Sequence, residues 1–372
     1  MHSPDDTVPP EIIDLFAGPG GLDMAAHALR LPVTGIEFDD DACATRRMAG
    51  LATVSCDVRE RGPADYPNAR VLAGGPPCQT FTVAGSGSGR RALEQVLEFA
   101  RRMADGEDIR PELDKLDDER TGLVLEPLRW ALEAIGLNRP YETVVLEQVP
   151  AVLPVWKAFE AILQEHDYSV VCGVLHTEEF GVPQTRRRAV LIGRLRNNET
   201  LTDEVALPEP THQRFRKNDT TPTGQGKRTR CVTMGDVLKK RHQPFEVVSN
   251  YGTGGDPRAR GRRAHDEPAF TVTGKISRNR VFGPGIKAFG SGDGTRFENY
   301  EAGVLQTFPE RYPWSGRAVA QQIGNAIPPR LGIHILAAAL GLGAGEVTAA
   351  LQRLKTWAPP LPAPHPTGSA PA

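Results

Sequence analysis

The chain of 372 residues has no apolar run long enough to span a bilayer and no basic-then-apolar leader at its start. A membrane channel and a secreted protein are therefore not expected, and a soluble cytoplasmic chain is. Only five cysteines occur, Cys43, Cys56, Cys78, Cys172 and Cys231, without the paired spacing of a metal site or a disulfide framework. No metal is expected. No internal repeat is evident, which sets solenoids and propellers aside. Excess positive charge is missing too, since the formal net charge is −2.

That balance hides an uneven distribution. Residues His212 to Arg280 hold 16 Lys/Arg against 6 Asp/Glu, a net of +10, so the rest of the chain carries −12. Such asymmetry is the electrostatic footprint of a phosphate-binding region. The same segment is rich in glycine, threonine and arginine, as in Asn250-Tyr251-Gly252-Thr253-Gly254-Gly255 and Arg258-Ala259-Arg260-Gly261-Arg262-Arg263. Arginine reads guanine edges or clamps phosphate, and about half of these side chains are expected to touch only backbone.

Near the start, Glu11–Phe16 reads as an apolar strand, Ala17-Gly18-Pro19-Gly20-Gly21 as a turn, and Leu22–Leu31 as a helix. Strand, glycine turn and helix together suit a nucleotide-type ligand. The phosphate fingerprint G-x-G-x-x-G is incomplete, because Asp23 stands at its third glycine. A ligand without phosphate, such as S-adenosylmethionine, fits better. A second strand, Pro32–Phe38, carries Glu37 about 20 residues after the turn, the offset at which an acid holds ribose hydroxyls. A third, Ala52–Cys56, ends at Asp57, within reach of an adenine amino group. Asp39, Asp40 and Asp41 read as helix-capping or solvated acids.

Arg70-Val71-Leu72-Ala73 reads as a buried strand that stops at Gly74-Gly75-Pro76-Pro77-Cys78-Gln79. Two prolines stiffen that loop. Cys78 is thus a thiol held at a strand's carboxyl end, where open α/β sheets place chemistry. Most free cysteines are merely small buried hydrophobes, and it is the company of the other motifs that favours a reactive role.

Taken together these segments resemble the cytosine-C5 DNA methyltransferase family from about residue 11 to about residue 335. Asp14–Gly21 is similar to its first motif and Gly75–Gln79 to its Pro-Cys loop. Tyr141–Pro150 resembles the strand carrying Glu-Asn-Val, Gln184–Arg188 the Gln-x-Arg-x-Arg motif, and Gln322–Pro329 the last motif. The resemblance implies a Rossmann-like, mostly parallel α/β sheet with helices on both faces, plus a smaller basic target-recognition domain. It implies S-adenosylmethionine held by Phe16, Gly18, Gly20, Glu37, Asp57, Pro77 and Asn325, with Cys78, Glu147, Arg186 and Arg188 catalytic. The expected organisation is a catalytic domain over 1–195 and target recognition over 196–317. A returning segment follows over 318–357, and a disordered tail over 358–372.

The chemistry requires these groups jointly. Cytosine C5 is a poor nucleophile, and thiolate addition at C6 makes it enamine-like. The thiol ionises more readily beside positive charge. Glu147 can bond N3 and the exocyclic amine. Arg186 and Arg188, two residues apart, share one face of a strand running to Gly193. The resemblance gives one of them the base O2 and the other the thiol loop. Two departures stand out. Gln148 replaces the family's Asn, so its bonds to the thiol loop need a longer side chain. Arg90–Leu116 intervenes before Glu119-Arg120-Thr121-Gly122-Leu123, and the spacing of Leu93, Val96, Leu97, Ala100 and Met103 predicts an extra amphipathic helix in a mobile active-site loop. Leu331–Leu340 and Gly345–Trp357 read as further helices.

The expected partners are double-stranded DNA and a separately encoded restriction endonuclease, with the chain a monomer. Alternative readings are a tRNA cytosine-C5 methyltransferase and a non-catalytic nucleic-acid-binding protein of the same fold.

Overall fold

The computed structural model describes residues 11–77, 87–113, 115–116, 120–196, 204–217, 228–249, 260–283 and 294–360. Cys78, Asn250–Gly255, Arg258 and the tail from residue 361 lie outside them. Within the described residues, seven strands form one sheet in the order β3-β2-β1-β4-β5-β7-β6. They are β1 (Glu11–Leu15), β2 (Val33–Glu37), β3 (Thr53–Ser55), β4 (Ala69–Gly74), β5 (Thr143–Gln148), β6 (Tyr168–His176) and β7 (Arg187–Leu195). Every pair is parallel except those of β7, which runs antiparallel to both β5 and β6.

The strands read as near-continuous apolar runs because both faces are covered. Ile12, Val71, Ala73, Val145, Val190 and Ile192 share one core, to which α1 (Gly21–Leu29), α11 (Pro329–Leu340) and α12 (Ala344–Thr356) contribute. Ile13, Leu15, Leu72, Val144, Leu146 and Leu191 belong to the other, with α3 (Gly87–Ala104), α6 (Glu126–Gly136) and α7 (Leu153–Glu165). Successive residues alternate between the two cores as the pleat requires. At about 1.5–3 kcal/mol for each fully buried large side chain, these faces supply most of the driving force.

Beyond β7 a third core gathers Met234, Leu238, Phe245, Val247, Val272, Val281 and Phe297. It is framed by α8 (Met234–Val237), by α9 (Asn299–Leu305), by α10 (Val319–Asn325) and by a small sheet. That sheet holds β8 (Glu246–Val248), β9 (Arg262–Ala264) and β10 (Arg280–Phe282) in the order β10-β8-β9. Gln184 ties this core to the large sheet. Its Nε2 donates to Leu305 O and Gln306 Oε1, both at 2.8 Å, and its Oε1 accepts from Val272 N at 2.9 Å. Among the described residues no helix is long and apolar enough to cross a membrane.

One expectation is corrected. The helix predicted within Arg90–Leu116 does form, as α3, but it is no free lid. Val96, Phe99 and Ala100 are buried in the second core, and α3 packs on α7. Amphipathic spacing signals a face to bury, not what buries it. Two short turns, α4 (Arg110–Leu113) and α5 (Arg120–Leu123), follow, and Arg102 pairs with both Glu107 and Glu112 at 2.7 and 2.8 Å. Phe99→Ala should therefore destabilise the protein by about 3–5 kcal/mol. An unchanged urea midpoint would show that α3 is not anchored.

Candidate active site

The turn after β1 is built by backbone that few residues adopt. Phe16, Gly18 and Gly20 have φ of 58°, 55° and 97°. Glu37, at the end of β2, holds the turn. Its carboxylate accepts from Gly18 N at 2.7 Å, Phe38 N at 2.9 Å and Asp39 N at 2.8 Å. Burial pushes this carboxyl up against the pull of those three donors. A carboxylate offers about four acceptor sites, so capacity remains for a ligand hydroxyl. From the far side, the Tyr312 hydroxyl donates to Pro19 O, and a Cβ at Gly21 would overlap Ile327 O.

Asp23 explains the broken fingerprint. Its carboxylate pairs bidentately with Arg46, Nη1 to Oδ2 at 2.8 Å and Nη2 to Oδ1 at 2.6 Å, with both side chains fully buried. Arg46 comes from α2 (Asp40–Met48) and also donates to Ala52 O at 3.0 Å and Thr53 Oγ1 at 3.1 Å. The pair locks α1 to α2 and to the start of β3. A Cβ at Gly35 would collide with the guanidinium, so glycine stands there.

Beside the ends of β2 and β3 lies a cavity of about 560 Å³, lined by Phe38, Asp39, Asp41, Cys56, Asp57 and Glu60 among others. Phe38 is 73% exposed at its mouth. Sequence reasoning missed it, though an aromatic directly after a strand-ending acid was the available signal. Asp57 borders the cavity, and it also caps the next turn and pairs with Arg59 at 2.6 Å, which lowers its pKa. Asp39 caps α2 through Ala42 N, and Asp41 accepts from Arg317 N and Ala318 N.

Two strands over, β4 ends in the Gly75–Pro77 loop. Cys78 itself lies outside the described residues. The structure places Glu147 against the loop: a Cβ at Gly75 would stand 3.8 Å from Glu147 Oε2. Arg188 Nε lies 2.6 Å from Glu147 Oε1, an ion pair with both side chains nearly buried. Burial raises the Glu147 pKa, and Arg188 and Arg186 oppose the rise. Gln148 Nε2 donates to Pro76 O at 2.6 Å. The longer side chain thus does bond the loop.

Arg186 and Arg188 part company. Arg186 is fully buried and donates to Val272 O at 2.7 Å, Gly324 O at 2.9 Å and Ala326 O at 3.2 Å. Burial drives its pKa down. Asn325, next to two of those carbonyls, is exposed and accepts from Gln321 Nε2 at 2.7 Å. The arrangement thus joins a carboxyl of raised pKa, its cationic partner and a stiff loop at the carboxyl edge of the sheet. The glycine turn and an acid-lined cavity lie on the same edge.

Comparison with known proteins bears on this geometry. The family model described as C-5 cytosine-specific DNA methylase matches residues 11–102 and 141–340. Among similar proteins is the Type II methyltransferase M1.HphI of Haemophilus parahaemolyticus, 26% identical over 369 residues, covering 90% of this chain and 87% of that protein. Another is the Type II methyltransferase M.NgoFVII of Neisseria gonorrhoeae, 29% identical over 356 residues and covering 86% and 84%. A solved structure from E. coli, described as a putative DNA modification methyltransferase encoded within a prophage, superposes with a TM-score of 0.57 at 18% identity, over 90% of this chain and 99% of its own.

Breaking the buried pair tests how the turn is held. Asp23→Ala leaves Arg46 unpaired and should cost about 3–5 kcal/mol. The double variant with Arg46→Met should lie closer to wild type than either single variant in chemical denaturation. Additive losses in the double variant would refute coupling between the two side chains.

Proposed function

The chain belongs to the C-5 cytosine-specific DNA methylase family and is a DNA cytosine-C5 methyltransferase, and from that premise we propose that Cys78 is its nucleophile, S-adenosylmethionine its methyl donor and a specific DNA sequence its target. The observation that carries this reading is the Glu147–Arg188 pair set against the Gly75–Pro77 loop.

The target base must leave the helix stack to reach such a site. The Cys78 thiolate adds at C6, opens the C5–C6 double bond and moves electron density to C5. Glu147, whose burial favours the protonated form, hands a proton toward N3 and neutralises the charge that addition creates. Arg188 fixes the orientation of that carboxyl through the 2.6 Å contact. Gln148 holds the loop through Pro76 O. Arg186 acts through the backbone carbonyls it binds rather than on the base.

The residues present suit the donor. Gly18 leaves open space where a side chain would stand, Glu37 keeps acceptor capacity, and Phe38 and Asp57 border a cavity of fitting size. Phe16, Gly18, Gly20, Glu37, Asp57, Pro77 and Asn325 would hold S-adenosylmethionine, which supplies an electrophilic methyl group. Target recognition falls to residues 196–317, whose basic stretch suits phosphate. The relatives named above are Type II methyltransferases. Their kind supports DNA over tRNA as substrate and a protective role beside a separately encoded endonuclease.

Cys78→Ala should abolish methyl transfer to DNA while DNA binding persists, because phosphate contacts dominate affinity. The check is radiolabelled methyl transfer alongside fluorescence anisotropy. Full methylation by the alanine variant would remove Cys78 from the mechanism.

A further inference from the structure

We propose that a second pocket on the carboxyl edge of the sheet reads the exocyclic amino group of a cytosine or adenine in the DNA through Glu178. The inference rests on the reading of the chain as a sequence-specific DNA methyltransferase and adds a specificity contact to it.

The pocket lies beyond the Glu147 site. β6 ends at His176 and β7 starts at Arg187, and these two residues are register partners. Around them opens a cavity of about 390 Å³, which Arg214, Phe215, Lys217 and Arg263 also line. Glu178 lines it too, although the residue is only 3% exposed. Its Oε1 sits 3.8 Å from His176 Nδ1. Backbone N–H groups of Glu178 and Arg186 face the carboxyl and burial raises its pKa, but its Oε2 is buried without a hydrogen-bond partner among the described residues. Native proteins rarely leave a buried acceptor unmet, since it forfeits its hydration without replacement.

The neighbouring cations do not meet it. The Arg263 guanidinium lies over the Phe215 ring at 4.1 Å and near Phe270 at 5.1 Å, and its Nη1, 3.9 Å from Glu267 Oε1, is buried without a hydrogen bond. Arg187, Arg214, Lys217 and Arg263 together give the pocket a net positive charge. Its occupant therefore carries negative charge and one N–H donor aimed at Oε2. A phosphodiester alone has the charge but no donor. A nucleotide within DNA has both: phosphate for the cations and, on cytosine N4 or adenine N6, an amino group for the carboxylate. Guanine and thymine present acceptors on the corresponding edge and would face Oε2 with repulsion. The stacked Arg263–Phe215 pair offers a flat wall beside the base.

The test starts from wild-type enzyme on a randomised duplex library, with 5-methylcytosine read by sequencing. No methylation at all would overturn the functional reading and this one with it. Given a motif, each recognised cytosine or adenine other than the target is replaced by an analogue without the amine, pyrimidin-2-one or purine. One position should lose kcat/KM by roughly 5- to 150-fold. At that position Glu178→Ala should tolerate the analogue as well as the natural base, and Glu178→Leu, which keeps most of the side chain's bulk but has no acceptor, should relax the same preference if the alanine variant does not fold. Whether cytosine or adenine is read follows from which substitution is felt. Lys217→Ala should weaken binding equally across sequences and lower the salt slope by about one. Tolerance of the analogue at every position by wild type, or a penalty that persists in the Glu178 variants, would overturn the proposal.

Discussion

A guanidinium without a carboxylate bonded to it holds the two parts of this protein together. Arg186 is buried, and its bonds go to three backbone carbonyls, Val272 O, Gly324 O and Ala326 O. Those oxygens belong to the third core and to the segment that returns to the sheet. Desolvating an arginine is costly, and removing any of its acceptors leaves the charge uncompensated. Gln184, two residues earlier, makes the same kind of seam with Leu305, Gln306 and Val272. Gln306 Nε2 then donates to Ile323 O at 2.6 Å. The seam is polar and directional, so it fixes how the basic region sits relative to Glu147, as apolar contact alone would not.

Much of this was legible in the sequence. The strands declared themselves because both faces of the sheet are buried, which leaves apolar runs such as Arg70–Ala73 unbroken by polar alternation. Gln148 was legible from the loop it had to reach, whereas the offset of Glu37 to the glycine turn did not announce the backbone N–H groups its carboxylate accepts. What was hidden depends on pairs distant in sequence. Nothing near Asp23 announces Arg46, 23 positions away, yet their ion pair occupies the place a third glycine would take. Two arginines two apart predict a shared face. Arg186 and Arg188 do both act on Glu147, but Arg186 also bonds carbonyls some 86 to 140 positions away, which the spacing did not show. The amphipathic spacing of α3 gave the helix and left its partner, α7, unstated.

The carboxyl edge of the sheet carries opposite charge at its two ends. At one side the cavity beside β2 and β3 is walled by Asp39, Asp41, Asp57 and Glu60. At the other, the pocket beside β6 and β7 is walled by Arg187, Arg214, Lys217 and Arg263. Glu147, at the end of β5, lies between these two oppositely charged ends. The near-zero net charge of the whole chain conceals that division. It keeps long-range attraction to DNA modest and leaves discrimination to short-range contacts.

The first core joins the opening and closing stretches of the chain: α1 packs on both α11 and α12, while everything from β2 to α10 lies between them in sequence. A ribosome delivers the chain in order, so the sheet face over Ile12 and Val71 emerges long before Leu331, Leu336 and Leu354 arrive to cover it. Until then that face is exposed hydrophobic surface, of the kind that nascent-chain chaperones bind. Closure of this core therefore waits on α11 and α12, which follow α1 by about 300 residues.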